Sequence, residues 1–203
     1  MSEFTQKQPD LKRIKTCIDT TIHEIGSFSL IEPRVIPEGL KLIARSVSWL
    51  IEQVMVQNLR SNKIKYGLEV VKDPPHNLTQ YDCILKFIGD DINYYVNFKA
   101  SLVQTDDSGR FDISKAQRLI EFYEEDLSRQ LLIAVIKIEL VNNGIRLVDS
   151  KIFNVAWVGD IYYNRANHNL QTRSDGEVVI RSNGDFVKIL KDKIKDAGHT
   201  SHY

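Results

Sequence analysis

The chain has 203 residues, which suits one domain with at most a small appended element. Lys plus Arg and Asp plus Glu each number 27, so no global field steers the protein toward nucleic acid or a membrane surface. Any contact with DNA would rest on the local charge of a cleft. Cys17 and Cys83 have no CxxC or metal-ligand spacing and read as buried free thiols in a reducing compartment. No apolar run reaches the length of a membrane span, and the polar start lacks an apolar signal core; the expected location is the cytoplasm.

Residues 1–10 are polar and expected to fray. Leu11, Ile14, Ile18, Ile22 and Ile25 recur at helical spacing, which predicts a helix over 11–25 stopped by Gly26. Pro33 and Pro37 interrupt the chain before a second predicted helix, about 38–59, with Val47, Leu50, Ile51 and Val54 toward a core. The period then changes. A strand is expected over 66–71, a loop at Pro74-Pro75, a strand over 81–88, a turn at 89–91 and a strand over 92–100, the last two forming a hairpin. A polar stretch over 103–110 precedes a predicted helix over 113–127, with Asp112 or Ser114 as its N-cap.

Residues 131–140 are almost wholly apolar and predict a strand covered on both faces. Asn142-Asn143-Gly144 reads as a hairpin turn into one or two strands over 146–158. A polar loop over 164–173, a short strand over 177–181 and a terminal helix over 184–195 complete the chain. The expected fold class is α/β (α+β), a central mixed sheet flanked by helices in a single domain over 1–203.

The residues with the most chemical content lie on the predicted hairpin. Asp82 opens one strand, while Asn97 and Lys99 stand two apart on the next and share a face. A tight connection brings a carboxylate, a second oxygen ligand and an ammonium to one place. Phosphodiester hydrolysis needs such a set: oxygen ligands hold Mg²⁺, and a cation offsets the charge that develops on the phosphate. The competing reading of Asp82 and Lys99 is a surface cross-strand ion pair. The chain has no Walker-type glycine loop, no GxGxxG and no GxSxG elbow.

This hairpin, Tyr81-Asp82 followed by Asn97-Phe98-Lys99, within an α-β-β-β-α-β order, resembles the PD-(D/E)XK nucleases over roughly residues 41–140. The resemblance implies a restriction-endonuclease-like core over 36–140, with 141–203 supplying recognition and dimer elements. It makes Asp82 the first metal-binding acid and Lys99 the lysine that assists hydrolysis. Two positions depart from the family pattern. Tyr81 stands where the proline is usual, and Asn97 where the second acid is usual, so the amide brings an oxygen without a charge. The family often places another metal-binding Glu on the preceding helix, which points to Glu52; Glu69, on the strand before the hairpin, is its rival.

The same resemblance turns Lys115 and Gln117, at the start of the next helix, toward phosphate or water. Arg165, Asn167, Asn169, Gln171 and Arg173 are residue types that read base edges, although the same segment also reads as a solvated loop. His76 and His168 have no metal-ligand partner at useful spacing and read as ordinary loop residues or phosphate contacts. The implied activity is that of a Mg²⁺-dependent, sequence-specific endonuclease of the type II restriction kind acting on double-stranded DNA. A palindromic target would make it a homodimer. Two alternatives stay open: a DNA-binding protein on the same fold weakened in hydrolysis by Asn97, and a structure-specific nuclease of repair or mobile elements.

Overall fold

The computed structural model describes residues 9–30, 44–76, 79–103, 109–141, 144–173 and 175–199. The predicted frayed end lies almost wholly outside these residues. So do the start of the second predicted helix and the tip of the turn at 142–143.

Helix α1, Leu11–Ile25, forms where the apolar spacing predicts it. Asp10 caps it by accepting a 2.9 Å bond from Arg13 N, and Gly26 ends it at φ 60°, a conformation that strains any other residue. Strand β1 (Ser27–Ser29) follows, then α2 (Ala44–Ser61), β2 (Leu68–Lys72), β3 (Cys83–Phe87) and β4 (Tyr94–Leu102). Next come β5 (Arg110–Lys115), α3 (Ala116–Glu125), β6 (Gln130–Val141) and β7 (Gly144–Asn154). A 3₁₀ turn (Val155–Trp157), β8 (Tyr162–Asn164), β9 (Asn169–Arg173) and α4 (Asn183–His199) complete the fold.

Six strands form one mixed sheet in the order β1-β7-β6-β4-β3-β2, in which β4 and β6 are parallel and every other pair is antiparallel. The fold is therefore of the α+β class, with helices against a mixed sheet. On β4, Tyr94, Val96 and Phe98 join Ile14, Ile18, Ile51 and Met55 in a core under α1 and α2. The alternate residue Tyr95 belongs to a second core, where Leu119 and Tyr123 of α3 and Phe186 and Leu190 of α4 meet Leu131, Ile133 and Val135 of β6. Both faces of β6 are thus covered, as its continuous apolar run requires. Each large aliphatic buried in this way contributes about 1.5–3 kcal/mol. Cys17 and Cys83 are free and buried in the first core, and burial raises both thiols well above their ordinary range.

Three predicted elements differ from the observed ones. The helix expected from 113 begins at Ala116, because Phe111 and Ile113 belong to β5. Neither Asp112 nor Ser114 caps it. Asp112 instead accepts from Gln171 Nε2 at 2.7 Å, and the first helical amide, Ala116 N, donates to His168 O at 3.0 Å. The polar stretch 164–173 is not a loop but most of the β8–β9 hairpin, and β9 pairs with β5 in a separate three-stranded sheet. The strand expected over 177–181 reduces to one antiparallel bridge between Val158 and Val178.

Candidate active site

β3 begins at Cys83, paired with Val96, while β4 continues to Leu102. Beyond Val96 the β3 side of β4 therefore lacks a neighbouring strand. Asp82 fills the first open place. Its amide donates to Val96 O at 2.8 Å, and its carboxylate Oδ2 accepts from Phe98 N at 2.6 Å, replacing the carbonyl that a longer β3 would have offered. This charge-assisted bond fixes the carboxylate by main chain. The other oxygen, Oδ1, has no protein donor among the described residues.

Asn97 is 7% exposed. Its Nδ2 donates to Gln80 O at 2.8 Å, which identifies the amide nitrogen, since two carbonyl oxygens cannot share a hydrogen bond. The remaining atom, Asn97 Oδ1, is buried with no hydrogen-bond partner among the described residues. Such an orphan costs about 1–3 kcal/mol and calls for a cation or donor. Gln80 extends the support to α3, where its Nε2 donates to Arg118 O at 3.3 Å. Tyr81, in the position where the family pattern has proline, is buried in the second core with its ring edge-on to Tyr95 at 4.9 Å.

Helix α2 adds the next carboxylate. Ile51 and Met55 are fully buried, and Glu52, half-buried beside them, faces a cleft of about 820 Å³. Glu52, Val56 and Arg60 form one wall of this cleft; Asp73, Tyr81 and Asp82 form another. The walls do not include Asn97 or Lys99, which continue from Asp82 along β4.

The charges are coupled. The Glu52 carboxyl is pushed up to about 7, first by burial and then by the negative charge of Asp82, with Lys99 pulling it back. Asp82 is also raised, first by burial, against the Phe98 N–H and Lys99, which lower it. Lys99 is thus the cation nearest in effect to both acids, although it forms no direct ion pair with either. The two desolvated carboxylates, with Asp82 raising Glu52, form an acidic pair that fits a hard divalent cation such as Mg²⁺, and Asn97 Oδ1, whose amide nitrogen is bound to Gln80 O two residues before Asp82, is a further candidate oxygen. Among the described residues no three His, Cys, Asp or Glu side chains converge.

The other predicted residues lie elsewhere. Glu69 forms a 3.0 Å ion pair with Lys86 and does not line the cleft. Gln117 Nε2 donates to Glu121 Oε1 at 3.1 Å within α3, and Lys115 Nζ donates to Asn167 O. In the hairpin, Asn167 Oδ1 accepts from Asn169 N at 3.0 Å, Gln171 is held by Asp112, and Arg173 forms a two-pronged pair with Asp175 at 2.8 and 2.9 Å. Arg165 lies in the turn between β8 and β9 and also has a partner. His168 sits in that turn at φ 58°, its Nδ1 2.6 Å from Tyr163 Oη. His76 is exposed in a bend.

Sequence reasoning passed over Gln80 and the Phe98 N–H. Both meet the site residues through main-chain atoms, Gln80 O and Phe98 N, which leave no side-chain signature.

Neither a comparison with protein-family models nor one with curated protein sequences finds a match.

Proposed function

We propose that the protein is a Mg²⁺-dependent endonuclease that hydrolyses phosphodiester bonds in double-stranded DNA, of the type II restriction kind. The observation that carries this reading is the pair of desolvated carboxylates, Asp82 and Glu52, that line one cleft, with Asp82 and Lys99 both acting on Glu52. The likeness of the Tyr81-Asp82 and Asn97-Phe98-Lys99 pattern to the PD-(D/E)XK nucleases supports it.

Asp82, Glu52 and Asn97 are the residues that would hold the ion. Bound there, Mg²⁺ would supply Lewis-acid polarisation of a phosphoryl oxygen and of the attacking water. Asp82, anchored by the Phe98 amide, keeps one oxygen for binding. Glu52, whose carboxyl is raised to about 7 by burial and by Asp82, would give up its proton on binding the ion and so bring the second negative charge to it. Lys99 offsets the charge that accumulates on the phosphate. Incubating the protein with unmethylated phage DNA and Mg²⁺ and resolving the products on a gel tests the proposal. Discrete bands support it, and the absence of Mg²⁺-dependent cleavage overturns it.

A second reading is a DNA-binding protein weakened in hydrolysis. One observation favours it: the third oxygen is a neutral amide, so the site carries one negative charge fewer than a three-carboxylate cluster. Duplex retention in a gel shift without cleavage would select it.

A further inference from the structure

Residues 177–181, Glu-Val-Val-Ile-Arg, link β9 to α4 and carry a single bridge residue, Val178. One edge of this segment is occupied. Gly159 N donates to Glu177 O at 2.9 Å, and Val179 N donates to Trp157 O at 2.8 Å, which makes the Val158–Val178 bridge. The contact is close: a Cβ on Gly159 would lie 2.7 Å from Glu177 O, so glycine is required there. In this pattern the odd residues turn their backbone groups toward the 3₁₀ turn, and the even residues turn theirs away. The N–H and C=O of Val178 and Ile180 therefore form a free edge, with no backbone partner among the described residues. The side chains beside that edge are apolar and exposed, Val178 at 61% and Ile180 at 63%. A short apolar edge of this kind is a template for another strand.

The charges specify which strand. Glu177 is exposed and forms no ion pair or side-chain hydrogen bond among the described residues. Arg181 Nη1 donates to Ala156 O at 3.0 Å and Val158 O at 2.8 Å, but the guanidinium has no carboxylate within 4 Å among the described residues. In an antiparallel pairing of the segment with itself, centred on Val179, Glu177 of one copy lies opposite Arg181 of the other. Val178 then lies opposite Ile180, and Val179 opposite Val179. Residues 178 and 180 are the ones whose amides and carbonyls point outward, so this register makes them a hydrogen-bonded pair twice over. A shift of two residues in either direction loses both charge matches.

We propose that this edge is an interaction surface for a second copy of the chain, joined two-fold through residues 177–181 with Val179 on the axis. Four main-chain hydrogen bonds, two Glu177–Arg181 pairs and β-branched cross-strand contacts hold it together. The interface does not rest on the nuclease reading and uses none of the residues of the cleft.

Two measurements on the full chain test it. Sedimentation velocity over a concentration series is expected to show a reversible monomer–dimer equilibrium. Glu177→Arg, which sets two guanidinium groups opposite one another, should weaken it by at least about tenfold, with an unchanged circular-dichroism spectrum. Directly opposed Cα atoms at a non-hydrogen-bonded pair lie about 4.5 Å apart, within disulfide range. Val179→Cys should therefore cross-link copies under mild oxidation much faster than Val178→Cys or Ile180→Cys, the native thiols being buried. A monomer at all concentrations, equal cross-linking at the three positions, or a dimer insensitive to Glu177→Arg would each overturn the proposal.

Discussion

The cleft and the β8–β9 hairpin are both rich in polar side chains, and the fold treats them in opposite ways. In the hairpin, Asn164 Oδ1 and Asn167 Oδ1 accept turn amides, Gln171 binds Asp112, and Arg173 binds Asp175. In the cleft, the carboxylates of Glu52 and Asp82 are desolvated, and outside its walls, on β4, the buried Asn97 Oδ1 has no partner among the described residues. The hairpin spends most of its polar groups on holding its own shape and docking on β5, although Thr172 Oγ1 is buried with no partner among the described residues. The cleft retains unsatisfied ones, and an unsatisfied group is what an incoming ion or phosphate can stabilise. What separates the regions is charge: the unsatisfied atom of the hairpin is a neutral hydroxyl, whereas the cleft leaves two carboxylates desolvated.

The largest effects are expected at Lys99. Lys99→Ala should slow Mg²⁺-dependent cleavage by about 100–1,000-fold, the usual loss when one charge-stabilising group is removed, while circular dichroism and thermal melting stay near those of the parent. Parental cleavage rates in that variant would place the chemistry elsewhere and erase the contrast between the regions.

Glu52 gives a test that needs no substrate. Its carboxyl is raised to about 7 in the fold, against about 4.3 for an unperturbed Glu. A raised carboxyl pKa means the folded state holds the proton more tightly than the unfolded chain. That stability is fully present below about pH 4 and is lost as pH rises through about 7. In metal-free buffer, Glu52→Gln should therefore be more stable than the parent at pH 8, by about 1–3 kcal/mol after allowance for solvent screening, and equal to it near pH 4. Added Mg²⁺ should raise the parent's melting temperature at pH 8 and leave that of Glu52→Gln nearly unmoved. Chemical denaturation at the two pH values checks the first statement, and a thermal shift series checks the second.

Asn97 sharpens the contrast further. An aspartate there would bring the charge a metal prefers, but it would also set a carboxylate oxygen against Gln80 O, where the amide now donates. Asn97→Asp should bind Mg²⁺ more tightly by calorimetry and lose about 1–3 kcal/mol of stability without the metal. A variant that gains affinity at no such cost would show that the Gln80 contact is incidental.

How much of this was legible depends on what each feature is made of. The pairing of Asp82 with Asn97 and Lys99 follows from a hairpin with period two, and the sequence shows that period plainly. Glu52 came forward only through the family likeness; on its helix it looks like any half-exposed acid. The β8–β9 hairpin was hidden because Tyr162–Asn164 and Asn169–Arg173 are short and polar. They become strands because β9 pairs with β5 and β8 pairs with β9, a tertiary effect that local propensity does not encode. The start of α3 lies later than its pattern suggests for the same reason, since Ile113 suits a helix face as well as a strand.

The smallest effect is expected in the hairpin, and it is the one that tests the comparison from the other side. Arg173 and Asp175 form an exposed pair, with side chains about 40% exposed, and such pairs contribute about 0–1 kcal/mol. If the hairpin's polar groups serve its own structure, Arg173→Ala should lower stability by no more than about 0.5 kcal/mol and leave the cleavage pattern on phage DNA unchanged. A guanidinium that reads a guanine edge would instead have to leave Asp175. Its loss would then cost about 1–3 kcal/mol of binding and relax the preference at one base position. Sequencing the ends produced by parent and variant separates the two. An unchanged set of ends assigns Arg173 to the fold, whereas degeneracy at a single position would show that a side chain satisfied in the free protein still changes partners on DNA.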